Sequence, residues 1–321
     1  MTARNATLAL AALAIALVFA QDLIPSAPLY HTWQYALALT IALAVMVAHA
    51  NGVRRGRDGV AGRGLLLAFG GAAVVVVAGL AAGLLGPDTV LVVGTPGTLK
   101  SLPALGGAAF FAPVDANELA RGSSVVTLRR GGREIVVGPG TRRPIGESLL
   151  YLDAHPAAYI DAADAGGAHV TLTQPTNASF LSPVLLFREH QRIGAFDVPL
   201  DTFATPALHR IVRVLYFTPR QLAQLAHPGA DATRPAVIFT ASDEAGKPLG
   251  ITLAASGQTV SLAGLRLRAT LGSYPALAVA AAPPPWALSL GIALFVGGIA
   301  WSALSGRAGA RAPVPRQPQS A

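Results

Sequence analysis

The sequence predicts a membrane protein with four transmembrane α-helices and a mainly β extracytoplasmic domain between helices three and four. Of its 321 residues, 52% are hydrophobic and 12% are charged, whereas soluble globular proteins carry roughly 25% charged residues. Four uncharged apolar stretches approach the ~20 helical residues that cross a bilayer core. A long segment of ordinary charge density lies between the third and fourth stretches, and its alternating apolar residues favour β-strands.

The four predicted spans are bounded by polar or aromatic residues and cover Ala6 to Ala20, Thr32 to Ala50, Gly64 to Leu85, and Trp286 to Leu304. Tyr30 and Trp33 flank the second span, and Trp286 and Trp301 flank the fourth, as expected of interfacial aromatic residues. The first span could instead be a cleaved signal peptide, because Val18-Phe19-Ala20 resembles a cleavage site. Either interpretation leaves the large domain on the same side of the membrane.

Small residues in the last two spans predict close helix packing. Gly79 and Gly83 lie four residues apart in the third span, as do Ala293 and Gly297 in the fourth. Small residues at this spacing let helix backbones approach one another. The partner could be another helix of this chain or a helix of a different protein.

The charge distribution predicts the orientation and the domain limits. Eight of the 24 basic residues flank the spans: Arg4, Arg54, Arg55, Arg57, Arg63, Arg307, Arg311 and Arg316. The loop between the first two spans carries Asp22 and no basic residue. The positive-inside rule then predicts that both termini lie in the cytoplasm and that the large domain lies outside. Its parts are three helices in residues 1–85 with a basic loop at 51–63, an external domain at 86–284, a fourth helix at 285–304 and a basic tail at 305–321.

The net charge of +8 does not indicate nucleic-acid binding. The external segment contains 16 basic and 14 acidic residues, so the excess positive charge lies beside the spans. A nucleic-acid-binding domain would concentrate that charge on its own surface.

Seven strands are predicted in the external domain, and together they favour a sandwich or two small β-lobes. They run over residues 89–93, 124–130, 133–137, 168–174, 235–241, 249–255 and 259–271. Turns are predicted in the stretches from Arg129 to Glu134 and from Asp243 to Pro248. A single helix is predicted to begin at Pro219, with Thr218 as its N-cap.

No external motif predicts catalysis. The stretch "GTPGTLKS" from Gly94 to Ser101 lacks the spacing of a phosphate loop, because Lys100 is three residues past Gly97, and it is predicted to be a turn. The five external histidines have no zinc-site spacing, and surface or partly buried polar roles are expected for them; they are His155, His169, His190, His209 and His227. The chain has no cysteine, so any thiol chemistry belongs to a partner.

Two histidines mark the ends of the second span. His31 and His49 are 18 residues apart, which is five helical turns, so they share one helix face. Polar residues at a membrane interface are common and inexpensive. A neutral imidazole is also a strong ligand for haem iron, so the alternative is an axial ligand or a relay for something that crosses or enters the membrane.

The order of segments, together with "DLIP" at 22–25 and "SGQTVSLAGLRLRATLGSYPALAVAAAPPPW" at 256–286, resembles the ResB family of cytochrome c biogenesis proteins. The last stretch is similar to that family's ending, in which a hairpin leads to a Tyr-x-x-Leu-x-Val strand and a proline-containing step into the final helix. The resemblance extends over nearly the whole chain, through short and degenerate motifs.

The resemblance implies a non-enzymatic accessory subunit of c-type cytochrome maturation. Such a subunit works with a ResC-like membrane partner that handles haem, and together they deliver haem to apocytochrome c. Members of the family usually carry a histidine near the start of the third helix that is held to ligate haem, and "GVAGRGLLLAFGG" at 59–71 has none. His49 is predicted near the same face of the membrane and could replace it, which makes His49 the candidate cofactor-binding residue for haem. Alternatively, this chain could keep only a scaffolding role. The alternative function is a membrane-anchored external scaffold or sensor without haem.

Overall fold

A computed structural model of the chain describes residues 3–23, 32–55, 59–174, 177–181, 183–225 and 234–310. The chain divides into two compact units. The helical unit comprises Met1–Val90, Arg143–Leu150 and Ala278–Ala321, and the β unit comprises Leu91–Arg142 and Tyr151–Leu277.

The described ranges contain six α-helices: α1 (Ala3–Leu23), α2 (Trp33–Arg55), α3 (Gly59–Leu80), α4 (Ala116–Arg121), α5 (Pro219–Leu225) and α6 (Pro285–Ala310). A π-helical turn, Ala81–Leu85, continues α3. Within these ranges, three segments are long and apolar enough to cross a membrane, namely Trp33–Arg55, Gly62–Leu85 and Pro285–Ser305. The apolar part of α1, Arg4–Ala20, is shorter. Membrane-length helices and a β-rich domain are thus confirmed.

The basic segment between the second and third spans is more helical than predicted. Helix α2 continues to Arg55 and α3 begins at Gly59. Arg57 and Asp58 lie outside the described residues. A helix extends readily through such a segment because its hydrogen bonds are local and its arginines favour helical structure.

Helices α3 and α6 pack backbone to backbone through glycines. A Cβ at Gly64 would lie 2.6 Å from the Ser302 nitrogen, and a Cβ at Gly291 would lie 2.7 Å from the Gly71 oxygen. A Cβ at Gly298 would lie 2.5 Å from the Gly64 oxygen. The paired positions run in opposite directions along the two helices, so the helices are antiparallel. Four glycines at seven-residue spacing therefore form the contact that small residues permit.

The glycines named from the sequence have different roles. Gly79 faces α1, because a Cβ there would lie 2.5 Å from Cγ2 of Val18. A Cβ at Gly297 would meet no described residue within 4 Å. The third span thus packs against other helices of this chain. The four-residue spacing of small residues did not identify which helices these are.

Helices α1, α2 and α3 share one apolar cluster. On α2 the buried residues Tyr35, Leu39, Ala42 and Met46 recur every three to four positions and form one face of the helix. They pack with α1 and α3 residues that include Val18 and Phe69. This face also determines the surroundings of His49.

Seventeen strands are described: β1 (Val90–Val93), β2 (Leu99–Leu102), β3 (Gly107–Phe111), β4 (Val126–Arg130), β5 (Arg133–Val137), β6 (Arg142–Ile145), β7 (Ser148–Asp164), β8 (Thr173–Gln174), β9 (Asn177–Leu181), β10 (Val184–Leu185), β11 (Glu189–Ile193), β12 (Phe196–Thr205), β13 (Arg210–Phe217), β14 (Ala236–Asp243), β15 (Pro248–Ala255), β16 (Thr259–Leu262) and β17 (Leu265–Ala281). The six-stranded sheet has the order β1-β17-β7-β10, with β16 beside β17 and β6 beside β7. The seven-stranded sheet has the order β15-β14-β13-β12-β8-β9, with β11 beside β12. Strands β2 to β5 form a separate four-stranded sheet.

The six-stranded and seven-stranded sheets enclose a common core. Its buried residues come from β7, β10, β16 and β17 of one sheet and from β12 to β15 of the other. Along β17, Leu265, Leu267 and Ala269 are buried while Arg266 and Arg268 between them are exposed. This two-residue alternation is that of a strand with one face in a core. The two sheets therefore form a β-sandwich.

Most predicted strands are confirmed within a few residues. The single strand predicted at 259–271 is wrong, because Ala263 and Gly264 form a turn between the antiparallel strands β16 and β17. The prediction at 168–174 is also largely wrong. Only Thr173 and Gln174 of that stretch form a strand, while His169 makes an isolated bridge to Ala163. Several long strands were not predicted, among them β7, β12 and β13. The stretch from Gly94 to Ser101 contains the expected turn, with Gly97 at φ +79°, and then the first residues of β2.

Helix α5 begins as predicted. The Thr218 hydroxyl accepts the Gln221 N–H at 3.3 Å, and the Gln221 side chain accepts the Thr218 N–H at 2.9 Å. Helix α4 was not predicted, although Asp115 and Glu118 form the same reciprocal arrangement at its start. That capping box was visible in the sequence as an acidic residue followed three positions later by glutamate.

Candidate functional site

His49 continues the buried face of α2. It lies three positions after Met46 on that face and is half-buried. Its Nδ1 is 3.4 Å from the Thr7 hydroxyl on α1, and its ring meets Phe69 of α3 edge to face at 5.4 Å between centroids. His49 therefore joins three helices.

The surroundings of His49 fit a haem ligand only in part. One ring nitrogen and one side of the ring are already occupied by Thr7 and Phe69. If Thr7 accepts a hydrogen bond from Nδ1, the lone pair of Nε2 is available to a metal, as in metal-binding histidines oriented by a second partner. Among the described residues, His49 supplies one imidazole nitrogen for such a site. The rest of a haem-binding site would have to come from another molecule.

The arginines predicted to flank the spans are exposed wherever their side chains are described. Arg4, Arg54, Arg55 and Arg63 are exposed. His31, Arg311, Arg316 and residues 311–321 in general lie outside the described residues, as does His227. The predicted common face of His31 and His49 therefore stays a prediction.

Three histidines of the β unit lie beside a carboxylate. The Nδ1 atoms of His169, His190 and His209 are 3.2, 3.1 and 2.8 Å from oxygens of Asp161, Asp197 and Glu244, respectively. All six side chains are at least half exposed, so these pairs contribute little to stability. Among the described residues, no group of three His, Asp or Glu side chains could hold a metal ion.

A polar clamp, formed by the side chains of Asp201 and His155, holds the backbone of Leu186. This residue lies where the chain passes from β10 to β11, which belong to different sheets. Asp201 accepts the Leu186 N–H at 2.9 Å, and His155 Nε2 lies 2.5 Å from the Leu186 carbonyl oxygen. The next residue, Phe187, is buried and has φ +46°, a conformation that is strained for a bulky side chain. His155 thus has the partly buried polar role that was expected.

Two cavities in the β unit carry polar groups. A cavity of about 390 Å³ lies along β7 beside the His169–Asp161 pair. A smaller one of about 110 Å³ is lined by Ser124, Asp153 and Ser273. No local sequence pattern predicted either cavity. The larger is lined by residues between 159 and 183, whereas the smaller combines residues that are far apart along the chain.

Comparison with known proteins does not assign the chain to a family. No protein-family model and no curated protein matches the sequence. One solved structure, FlgL of Xanthomonas campestris, aligns over 98% of this chain and 97% of its own at 11% identity and a TM-score of 0.15. Similarity at that level carries no argument about fold or function.

Proposed function

We propose that the protein is an accessory membrane subunit of c-type cytochrome maturation that assists haem delivery to apocytochrome c. The observation that carries the proposal is the junction between β17 and α6. The stretch that resembles the ResB family contains the β16–β17 hairpin. Strand β17 ends at Ala281, and the three residues up to Pro284 connect it to α6. A long strand joined to an apolar helix by "APP" is the arrangement implied by the family's ending.

The order of the other elements supports the same proposal. Three apolar helices precede the strands and one follows them. Helix α1 has residues Ala11, Ala14 and Val18 in the shared helical core, which favours its retention over cleavage. In this proposal the protein lies in the bacterial inner membrane with both termini in the cytoplasm and the β unit outside.

The proposed role is non-enzymatic. A chain without cysteine cannot supply the thiols of a thioether bond, so those belong to the C-x-x-C-H motif of the apocytochrome. A ResC-like partner would hold the haem, and the β unit would offer a surface for the partner or the apocytochrome. His49 is the residue of this chain that could hold haem iron, through Nε2, when the partner is present.

Deletion of the gene tests the proposal. We expect covalently bound haem in c-type cytochromes to fall while b-type haem is unchanged, since only the former needs external delivery and attachment. Haem staining of membrane proteins and difference spectra measure the two classes, and reintroducing the intact gene is the control. Normal c-type bands in the deletion strain would refute the proposal.

The contacts of His49 favour a second candidate, a membrane-anchored external scaffold or sensor without haem. Thr7 and Phe69 already give this histidine a role in helix packing. In a scaffold, deletion would leave c-type cytochromes intact and would alter the stability of another membrane protein. The same strain therefore separates the two candidates.

A further inference from the structure

We infer that the hairpin formed by β6 and the first residues of β7 is a lipid-binding element, in which Arg142 and Arg143 bind the phosphates of phospholipid headgroups. The inference requires that α3 and α6 cross the membrane, and it does not depend on c-type cytochrome maturation. It rests on the position of the hairpin and on the exposed, unpaired state of these arginines among the described residues.

The turn of this hairpin lies beside the start of α6. Gly146 and Glu147 form the turn, and the Glu147 carbonyl oxygen accepts the Ala282 N–H at 3.0 Å. Helix α6 begins three residues later, at Pro285. Residues Arg143–Leu150 accordingly belong to the helical unit.

The end of α3 reaches the same place. A Cβ at Gly86, directly after the π-helical turn that continues α3, would overlap the side chain of Ala281. Ala281 directly precedes the residue that bonds to Glu147. The hairpin turn is therefore held at the ends of two helices that are long and apolar enough to cross a membrane.

These contacts place the turn at or directly above the headgroup layer. Trp286 is 67% exposed in the first turn of α6, and tryptophans at the ends of spans are typical of the membrane–water interface. Trp286 lies four residues after Ala282, and four residues of chain extend at most ~14 Å. A headgroup layer is roughly 5–8 Å thick on each side of the bilayer, so the hairpin lies within reach of lipid phosphates.

The arginines of β6 have the chemistry that lipid phosphate requires. Arg142 and Arg143 are exposed, and neither has an ion pair within the part of the chain that the structure describes. A guanidinium binds a phosphate through two parallel N–H donors. The long arginine side chain also lets this group extend to the headgroups while the strand stays above them.

The carboxylates nearby limit the preference for anionic lipid. Asp88 and Glu147 are exposed in the same part of the helical unit, and they repel a negatively charged headgroup. We therefore expect the two arginines to favour anionic lipid by a small factor. An acidic protein could bind the same arginines, but the bilayer is the partner that already lies beside the hairpin.

The first test measures the depth of the hairpin in the full chain, reconstituted in phosphatidylcholine nanodiscs. Because the chain has no cysteine, Pro144→Cys gives a single site for a fluorescent label. Trp286→Cys and Val296→Cys are depth standards, since Val296 is ten residues further along α6 and about 15 Å deeper.

A nitroxide attached to the lipid headgroup should quench the label at position 144 as strongly as the label at position 286. It should quench the label at position 296 less. A label at position 144 that only aqueous iodide quenches would overturn the inference and would leave the arginines to an acidic protein.

The second test measures lipid selectivity with the label at position 144. Quenching by spin-labelled phosphatidylglycerol is compared with quenching by spin-labelled phosphatidylcholine at equal mole fraction. We expect the anionic lipid to be at least about twofold more effective, and we expect high salt to reduce this ratio. The double variant Arg142→Gln/Arg143→Gln should bring the ratio to about one. A ratio of one in the parent protein, or an unchanged ratio in the double variant, would contradict lipid binding by these arginines.

Two further variants locate the effect on the hairpin. Arg130→Gln/Arg133→Gln removes two exposed arginines beside the turn between β4 and β5, and this matched pair should leave the ratio unchanged. Glu147→Gln should raise the ratio, because it removes a repulsive charge and keeps the backbone carbonyl that binds Ala282. Equal losses of selectivity in both arginine pairs would show an effect of net charge alone and would refute the inference.

Discussion

Gly71 of α3 and Gly291 of α6 touch through their backbones, so that a Cβ on Gly291 would lie 2.7 Å from the Gly71 carbonyl oxygen. Gly70, one residue earlier, has no described atom within 4 Å of the position of its Cβ. Adjacent glycines of one helix thus have opposite surroundings.

Leucine at Gly71 should therefore destabilise the helical unit, whereas leucine at Gly70 should not. Overpacking of a close contact costs about 1–3 kcal/mol or more, and here the obstacle is backbone that cannot rotate away. The measurement is the thermal unfolding temperature of each variant in the same detergent. The pair Gly298→Leu and Gly297→Leu repeats the comparison on α6, because Gly297 also faces open space. Equal destabilisation within either pair would contradict the packing.

Removing the carboxylate of Asp201 should destabilise the β-sandwich. Asp201→Ala leaves the buried Leu186 N–H without its acceptor, and we expect a loss of about 1–3 kcal/mol in the free energy of unfolding. Asp197→Ala is the control on the same strand, because the Asp197 side chain is 72% exposed and its ion pair among the described residues is with the exposed His190. That variant should stay within about 0.5 kcal/mol of the wild type. Chemical denaturation measures both variants, and similar losses would mean that the clamp at Leu186 is not specific.

The β unit should lose stability at alkaline pH. Burial raises the pKa of Tyr274 well above its ordinary value of 10.0, and burial raises the pKa of Tyr216 also. A tyrosine whose pKa is higher in the folded protein than in the unfolded chain contributes its full stabilisation at pH values below the unfolded-state pKa. This stabilisation decreases as the pH rises above 10. Each such group can lower the free energy of unfolding by up to about 1.4 kcal/mol per pH unit in that range.

Tyr274→Phe should separate the two effects of this side chain. At neutral pH we expect a loss of about 1 kcal/mol, because the hydrogen bond to the Ala112 oxygen is missing. Above pH 10 the variant should lose stability less steeply than the wild type. Unfolding curves at a series of pH values measure the slope, and an unchanged slope would show that Tyr274 does not titrate on unfolding.

If His49 ligates haem iron in a complex with a ResC-like partner, as proposed, His49→Ala should lower the haem content of that complex. Thr7→Val keeps the volume of the side chain and removes the hydroxyl beside Nδ1, so it should shift the haem spectrum without emptying the site. His31→Ala is the control at the other end of the second span. Haem per purified complex is measured for each variant. Unchanged haem in His49→Ala would show that this histidine serves only to pack α2 against α1 and α3.

Reporter insertions should establish the orientation. An insertion at Gly106, in an exposed turn of the β unit, should be active only as an exported reporter. An insertion at Gly52, near the basic end of α2, should be active only as a cytoplasmic reporter. These expectations follow from the basic residues that flank the spans. A cytoplasmic signal at Gly106 would contradict both the orientation and the proposed function.

The sequence by itself determined the features that depend on neighbouring residues. The apolar helices were predicted because helical hydrogen bonds connect residues four positions apart. The hairpin of β4 and β5 was predicted from Gly131 and Gly132, which have φ +54° and +74° as a two-residue turn requires. Thr218 and Pro219 marked the start of α5 for the same local reason.

Tertiary structure decided what depends on distant partners. Strand β7 contains Pro156 and many alanines, which disfavour strands, and it forms because it pairs with β17 from more than a hundred residues later. Which glycine faces which helix depends on the crossing of α3 and α6, and the spacing of small residues alone did not give it. The cavity at Ser124 and the clamp on Leu186 likewise bring together segments that no local pattern connects, because side-chain contacts across sheets are fixed only when the whole sandwich has formed.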